Sequence, residues 1–116
     1  MCSQIRVSIS VSDASSNGFG ETVTVKIGGE VDLYSVGELN RRLECVLAES
    51  SGRAIIIDLE VLEFLGACGV SALLAAKRCA EEAGRDVRMI NAQGAPARIL
   101  RLLGFESWCK QAAVAK

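Results

Sequence analysis

Few side chains in this chain could do chemistry, and their types narrow what that chemistry would be. Five cysteines stand at positions 2, 45, 68, 79 and 109 with no CxxC pair among them, so neither a zinc ribbon nor a thioredoxin-type dithiol is encoded. Histidine is absent altogether. That removes Ser-His-Asp and Cys-His nucleophile pairs, His-ligated zinc and the commonest general base near neutral pH. Asp32 and Asp58 are isolated acids without a third ligand or a phosphate-binding Gly-Lys motif, which argues against a magnesium site or a carboxylate dyad. One segment stands out, Phe64-Leu65-Gly66-Ala67-Cys68-Gly69-Val70. Its small residues permit a tight turn into a helix, whose free N–H groups attract anions or acceptor groups. Small residues at such a turn equally serve close packing of strand and helix. Spacing alone leaves both roles open. The residue types imply no metal, no cofactor and no conventional enzyme.

The composition bounds the rest. At 116 residues, half of them apolar, the chain suits a single domain, 1–116, able to bury roughly two-thirds of its unfolded surface. Lys plus Arg total 13 against 14 Asp plus Glu, a net charge of −1, which gives no electrostatic footprint for nucleic acid or an anionic membrane. Aromatics are only 4%, too few for base-stacking platforms. The opening MCSQIRVSIS has no apolar run behind a basic region, so no secretory signal is read there. No stretch reaches the roughly 18 apolar residues of a membrane span. An odd cysteine count without a signal points to the cytoplasm and reduced thiols.

The elements that must position these residues follow from periodicity. IRVSISV (5–11) and VTVKI (23–27) alternate apolar and polar residues and read as two strands of a hairpin across a turn at 13–21. Ser35 and Glu38 have capping-box spacing. Val36, Leu39, Leu43, Val46 and Leu47 recur at helical spacing, predicting an amphipathic helix over 35–49 that Ser51-Gly52 ends. AIIIDL (54–59) has no polar alternation, as in strands buried on both faces in the middle of a parallel sheet. After EVLEF and the Gly66–Ser71 turn a second helix runs to a C-cap at Gly84. DVRMI (86–90) reads as a fourth strand. Pro96 at the first helical position and Gly104 past the end frame a helix over 96–103. FESWCKQAAVAK fits a short strand or a short helix.

The order β-β-α-β-α-β-α contains two βαβ units with right-handed crossovers. It predicts a small mixed α/β sheet with helices mainly on one face and an antiparallel first strand at an edge. Such sheets present function at the carboxyl ends of their strands. Outside that end the residues read as structural. Cys45 and Cys79 fit small buried helix positions, and Cys2 falls in a mobile terminus. Trp108 closes a core edge, and Asp58 orients the loop after the central strand. Lys77, Arg78, Arg85 and Arg88, interleaved with Glu81 and Glu82, form a solvated face. Ser71 satisfies the helix start or serves as a displaced phosphosite.

From Gly29 to Gly104 the chain resembles a STAS domain, the fold shared by bacterial anti-sigma factor antagonists and the cytoplasmic tails of sulphate transporters. The matching pieces are Gly29-Glu30-Val31-Asp32, Ile55-Ile56-Ile57-Asp58-Leu59, Phe64 to Val70, and Ala95-Pro96-Ala97-Arg98-Ile99-Leu100 followed by Gly104-Phe105. The family's turn usually reads Asp-Ser-Ser/Thr-Gly-Leu, and its first Ser is phosphorylated by a kinase that is itself the anti-sigma factor. Here Gly66, Ala67 and Cys68 stand at the polar positions and only Gly69 is unchanged. The resemblance implies an anti-sigma factor antagonist that binds an ATPase-like kinase and releases sigma factor, with no phosphorylation at the usual Ser. It places docking on Asp32, Tyr34, Gly66, Ala67, Cys68, Gly69 and Ser71. Cys68 is either a small buried residue, as free cysteines most often are, or, at a helix N-terminus that favours thiol reactivity, a redox replacement for phosphorylation with Cys109 as its partner; Cys79 lies about three turns along the same helix. STAS-like accessory subunits of transporters, including lipid-transport complexes, are the alternative.

Overall fold

The alternating runs become a five-stranded mixed sheet in the computed structural model, which describes residues 7–14, 22–49 and 54–110. Its strands are β1 (Val7–Ala14), β2 (Thr22–Val31), β3 (Ala54–Asp58), β4 (Leu62–Leu65) and β5 (Val87–Ile90). The helices are α1 (Val36–Glu49), α2 (Ala67–Glu82) and α3 (Gly94–Leu102), followed by one 3-10 turn at Glu106–Trp108. β1 pairs antiparallel with β2, from Val7 opposite Gly29 to Ala14 opposite Thr22. The spatial order is β1-β2-β3-β5, with β3 parallel to β2 and β5 parallel to β3. The edge position and direction of the first strand are as the element order predicts. Cys2, most of the 13–21 turn and Ser51-Gly52 lie outside the described residues.

Sequence periodicity misses β4. β2 has ten residues and β3 five, so the second half of β2 is left without a neighbour on that edge. The chain leaves β3 at Asp58, turns, and re-enters beside β2 with Leu62 opposite Gly29 and Val31 opposite Leu65. A four-residue strand with buried ends and an exposed middle carries no period-two signal. Within that ladder a register shift between Gly29 and Glu30 takes up one extra residue of β4, Glu63.

The core lies on one face of the sheet. Val23, Val25 and Ile27 of β2, Ile55 and Ile57 of β3, and Val87 and Met89 of β5 are buried there with Leu39, Leu43, Val70 and Leu73 of the helices. α1 and α2 pack on each other, and α3 packs on β4 and the 3-10 turn. On the opposite face Thr24 and Ile56 are half-buried, and Lys26 and Arg88 are exposed. The central strand is therefore covered on one face, not two, because no helix of the pair reaches the other.

Local chemistry explains most helix ends. Gly84 (φ 85°) and Gly104 (φ 91°) take left-handed backbone just past α2 and α3. The N–H groups of Gly84 and Arg85 donate to Glu81 and Ala80, and those of Gly104 and Phe105 to Arg101 and Leu100, the paired closure of a Schellman motif. α3 starts two residues before Pro96, which is buried in the first turn, where its missing N–H leaves no gap. The capping box does not form. Glu38 turns instead to Arg41 and Arg42, each at 2.9 Å.

Three surface assignments change. Cys45 and Cys79 are exposed, because each falls on the outer stripe of its helix. Arg85 is 8% exposed and its Nη1 donates to the Leu47 carbonyl at 2.7 Å, so it belongs to no solvated face. Trp108 is buried as expected, its ring 4.7 Å from that of Phe105. The segment after Gly104 forms the 3-10 turn and then a single parallel bridge between Ala92 and Cys109; residues 111–116 lie outside the described residues.

Candidate functional site

The carboxyl ends of β2 and β4 bring two turns side by side. Val31 pairs with Leu65, and the Gly66 N–H donates to the Val31 carbonyl at 2.8 Å. One turn, β4 to α2, carries Gly66–Ser71; the other, β2 to α1, carries Asp32–Ser35. These hold all the predicted docking residues, and most of them reach the surface.

In the first turn Gly66 is the N-cap of α2 with extended backbone and no side-chain cap. Its carbonyl accepts from the N–H groups of Gly69 and Val70. Ala67 and Ser71, one helical turn apart, are exposed, and Cys68 is half-buried. Gly69 is different. It is buried, and a Cβ there would lie 2.6 Å from both Leu65 Cδ1 and Val31 Cγ1, so this glycine sets how closely α2 meets the sheet and presents no side chain to a partner.

The second turn is ordered by side-chain oxygens. Asp32 Oδ1 accepts from the N–H groups of Tyr34 at 2.9 Å and Ser35 at 3.1 Å. Buried Ser35 Oγ accepts from the Asp32 N–H at 3.0 Å and lies 2.8 Å from the Glu30 carbonyl, to which it donates. The Asp32 carbonyl takes the N–H groups of Ser35 and Val36, starting α1. Asp32 thus has a backbone-ordering role that its sequence position does not advertise.

Around these turns large apolar side chains face solvent: Tyr34 is 92%, Leu33 77% and Phe64 46% exposed. Leu33 and Phe64 are functional candidates that spacing did not single out. Leu33 offers a signal in retrospect, an apolar residue in a turn where a polar one would be usual. The charges on these segments are of one sign, Glu30, Asp32, Glu60 and Glu63, with no Lys or Arg within 28–37 or 59–72; Lys110 reaches Glu60 at 3.8 Å. Grooves of about 300 to 410 Å³ lie elsewhere, between β1 and α1 and around the 3-10 turn.

The other candidates separate. Asp58 Oδ1 accepts from the Glu60 N–H at 3.0 Å and lies 3.4 Å from Asn91 Nδ2, orienting the loop after β3 as expected. Among the described residues no cluster of three His, Cys, Asp or Glu could hold a metal. Cys68 and Cys109 are both free thiols. Cys109 is buried, with Sγ 3.7 Å from the Ala97 carbonyl and 3.9 Å from that of Phe105. The Glu38 carboxyl is held below its ordinary value by the hydrogen bonds from Arg41 and Arg42.

Comparison with known proteins decides the family. The STAS domain family model matches residues 13–113, spanning both turns. The chain belongs to the STAS domain family. This STAS domain is 34% identical over 101 residues to the anti-sigma-F factor antagonist RsfB of Mycobacterium tuberculosis, covering 85% of this chain and 77% of that one. Among solved structures, an anti-sigma factor antagonist from Mycobacterium paratuberculosis superposes with a TM-score of 0.60 at 28% identity, over 88% of this chain and 83% of that one. The unphosphorylated form of the anti-sigma factor antagonist SpoIIAA shares the fold, with a TM-score of 0.67 at 20% identity over 91% and 89% of the two chains. No helix of the described STAS domain is long and apolar enough to cross a membrane.

Proposed function

We propose that this STAS domain is a non-enzymatic, cytoplasmic anti-sigma factor antagonist. It docks on an anti-sigma factor of the ATPase-like kinase type and frees sigma factor by competition, so output follows relative affinities and concentrations. The observation that carries this is the exposed apolar surface at the two turns, Leu33 and Tyr34 beside Phe64 and Ala67. Aromatic anchors within an acidic rim suit a protein partner. The names of the relatives, anti-sigma factor antagonists, support an anti-sigma factor as the partner.

Ala67 has no hydroxyl, so the usual off-switch of the family is missing and docking is constitutive. A phosphoryl group would bring about two negative charges to this surface; without it the complex persists. Cys68, a half-buried free thiol in the first turn of α2, offers redox control of docking in place of phosphorylation. Ala67→Glu supplies the missing charge and should weaken binding to a purified kinase-type anti-sigma factor of the source organism by about a hundredfold, through repulsion and desolvation. Retained affinity would remove the turn from the interface. The double variant Gly66→Asp, Ala67→Ser should become a substrate of that kinase, since a Cβ at Gly66 meets nothing nearer than 3.5 Å. No incorporation of phosphate would mean that the partner is not a kinase. Capture of a transporter subunit instead would leave the accessory-subunit role standing.

A further inference from the structure

The β2–α1 turn exposes two large side chains while spending its own polar atoms on backbone groups. A turn that displays Leu33 and Tyr34 to solvent gains nothing from burial there, so its shape must come from hydrogen bonds. Asp32 Oδ1 receives two successive N–H groups, those of Tyr34 and Ser35, and Ser35 Oγ returns the bond to the Asp32 N–H. Ser35 is 5% exposed and also reaches the Glu30 carbonyl, which anchors the turn to the last residues of β2. Fixing a loop before association removes an ordering cost at the moment of binding. Tyr, with two rotatable angles and a large amphipathic ring, is the side-chain type best suited to profit from such fixing.

We infer that Asp32 is a positioning residue and that Tyr34 is the side chain the partner reads. Resting on the docking surface proposed above, this assigns the partner's chemistry. It is a protein surface with an apolar pocket for the Tyr34 ring and a basic side chain beside it, complementary to the exposed acid Glu63 of β4. The same charge opposes anionic membranes and nucleic acid.

Tyr34 is the only tyrosine in the chain, so biosynthetic fluorotyrosine gives a single fluorine resonance at this turn. In the free protein Asp32→Ala should move that resonance towards its position in the urea-unfolded chain. Asp32→Asn, which keeps the Oδ1 acceptor, should leave it in place. An unmoved resonance in Asp32→Ala would overturn the positioning role, whatever the partner. Binding is then measured by calorimetry against a purified kinase-type anti-sigma factor of the source organism. Tyr34→Ala should weaken it about thirtyfold with an unchanged thermal midpoint, and Tyr34→Phe by less than about threefold, since the ring rather than the hydroxyl is read. Asp32→Ala should weaken it about tenfold and Asp32→Asn by less than about threefold, the size of one ordered loop contact. Equal loss in Asp32→Asn and Asp32→Ala, with the fluorine signal of Asp32→Asn in place, would mean that the partner reads the carboxylate itself and would overturn the assignment. If the unaltered protein binds none of these factors, the docking surface and the Tyr34 role fall together; the fluorine spectra of the free chain still decide the role of Asp32.

Discussion

A methyl group added at Gly69 would lie 2.6 Å from Leu65 Cδ1 and Val31 Cγ1, one added at Gly66 no nearer than 3.5 Å to anything. Three residues apart in one turn, the two glycines were equivalent in sequence, where packing and function both explained small residues. The structure gives packing to Gly69 and leaves Gly66 free for surface change. Gly69→Ala should therefore lower the unfolding free energy by about 1–3 kcal/mol in urea titrations, while Gly66→Ala should stay within about 0.5 kcal/mol. Comparable losses at both sites would contradict this division. Glu38 offers a second test. Its carboxyl titrates below 4.5 because Arg41 and Arg42 bond the charged form, so its contribution is present above that ordinary value and is lost as pH falls through the lower folded value. Glu38→Gln should lower the thermal midpoint slightly near pH 7. The two proteins should converge once the pH has fallen below the folded value, and a difference that persists there would refute the ion-pair origin.

Elements are tied by polar as well as apolar contacts. Arg85 sits just past α2, yet its Nη1 caps the Leu47 carbonyl near the end of α1 at 2.7 Å. It satisfies a carbonyl in the last turn that has no intrahelical donor and places positive charge at the negative end of the helix dipole. Arg85→Met should cost about 1–3 kcal/mol in urea unfolding, more than the exposed Arg88→Met; equal effects would return Arg85 to the surface. The helices and four of the five strands were legible from their periods or, for β3, from an unbroken apolar run. β4 was not, since its existence depends on β2 being twice the length of β3, a relation between distant segments. The burial of Arg85 and the exposure of Cys45 and Cys79 were hidden for the same reason: residue type fixes a preference, and the neighbouring element decides the face.

At the scale of the molecule, a one-sided core leaves a polar open face, and the exposed apolar residues of the two turns gather at the carboxyl ends of the strands. Strand order and the position of that end followed from the β-β-α-β-α-β-α pattern and the handedness of crossovers. Asp32, Tyr34 and the Gly66–Ser71 turn were named together through the family resemblance, and the pairing of β2 with β4 sets those two loops side by side. That Asp32 orders backbone while Leu33 and Tyr34 face solvent could not be read there, because hydrogen bonds within a turn leave no periodic trace. The most direct measurement is displacement: fluorescently labelled sigma factor bound to its kinase-type anti-sigma factor, titrated with this protein and followed by anisotropy. Docking by competition predicts release of sigma at near-stoichiometric protein and no release by Ala67→Glu. Sigma that stays bound at saturating, folded protein, or equal release by Ala67→Glu, would contradict it.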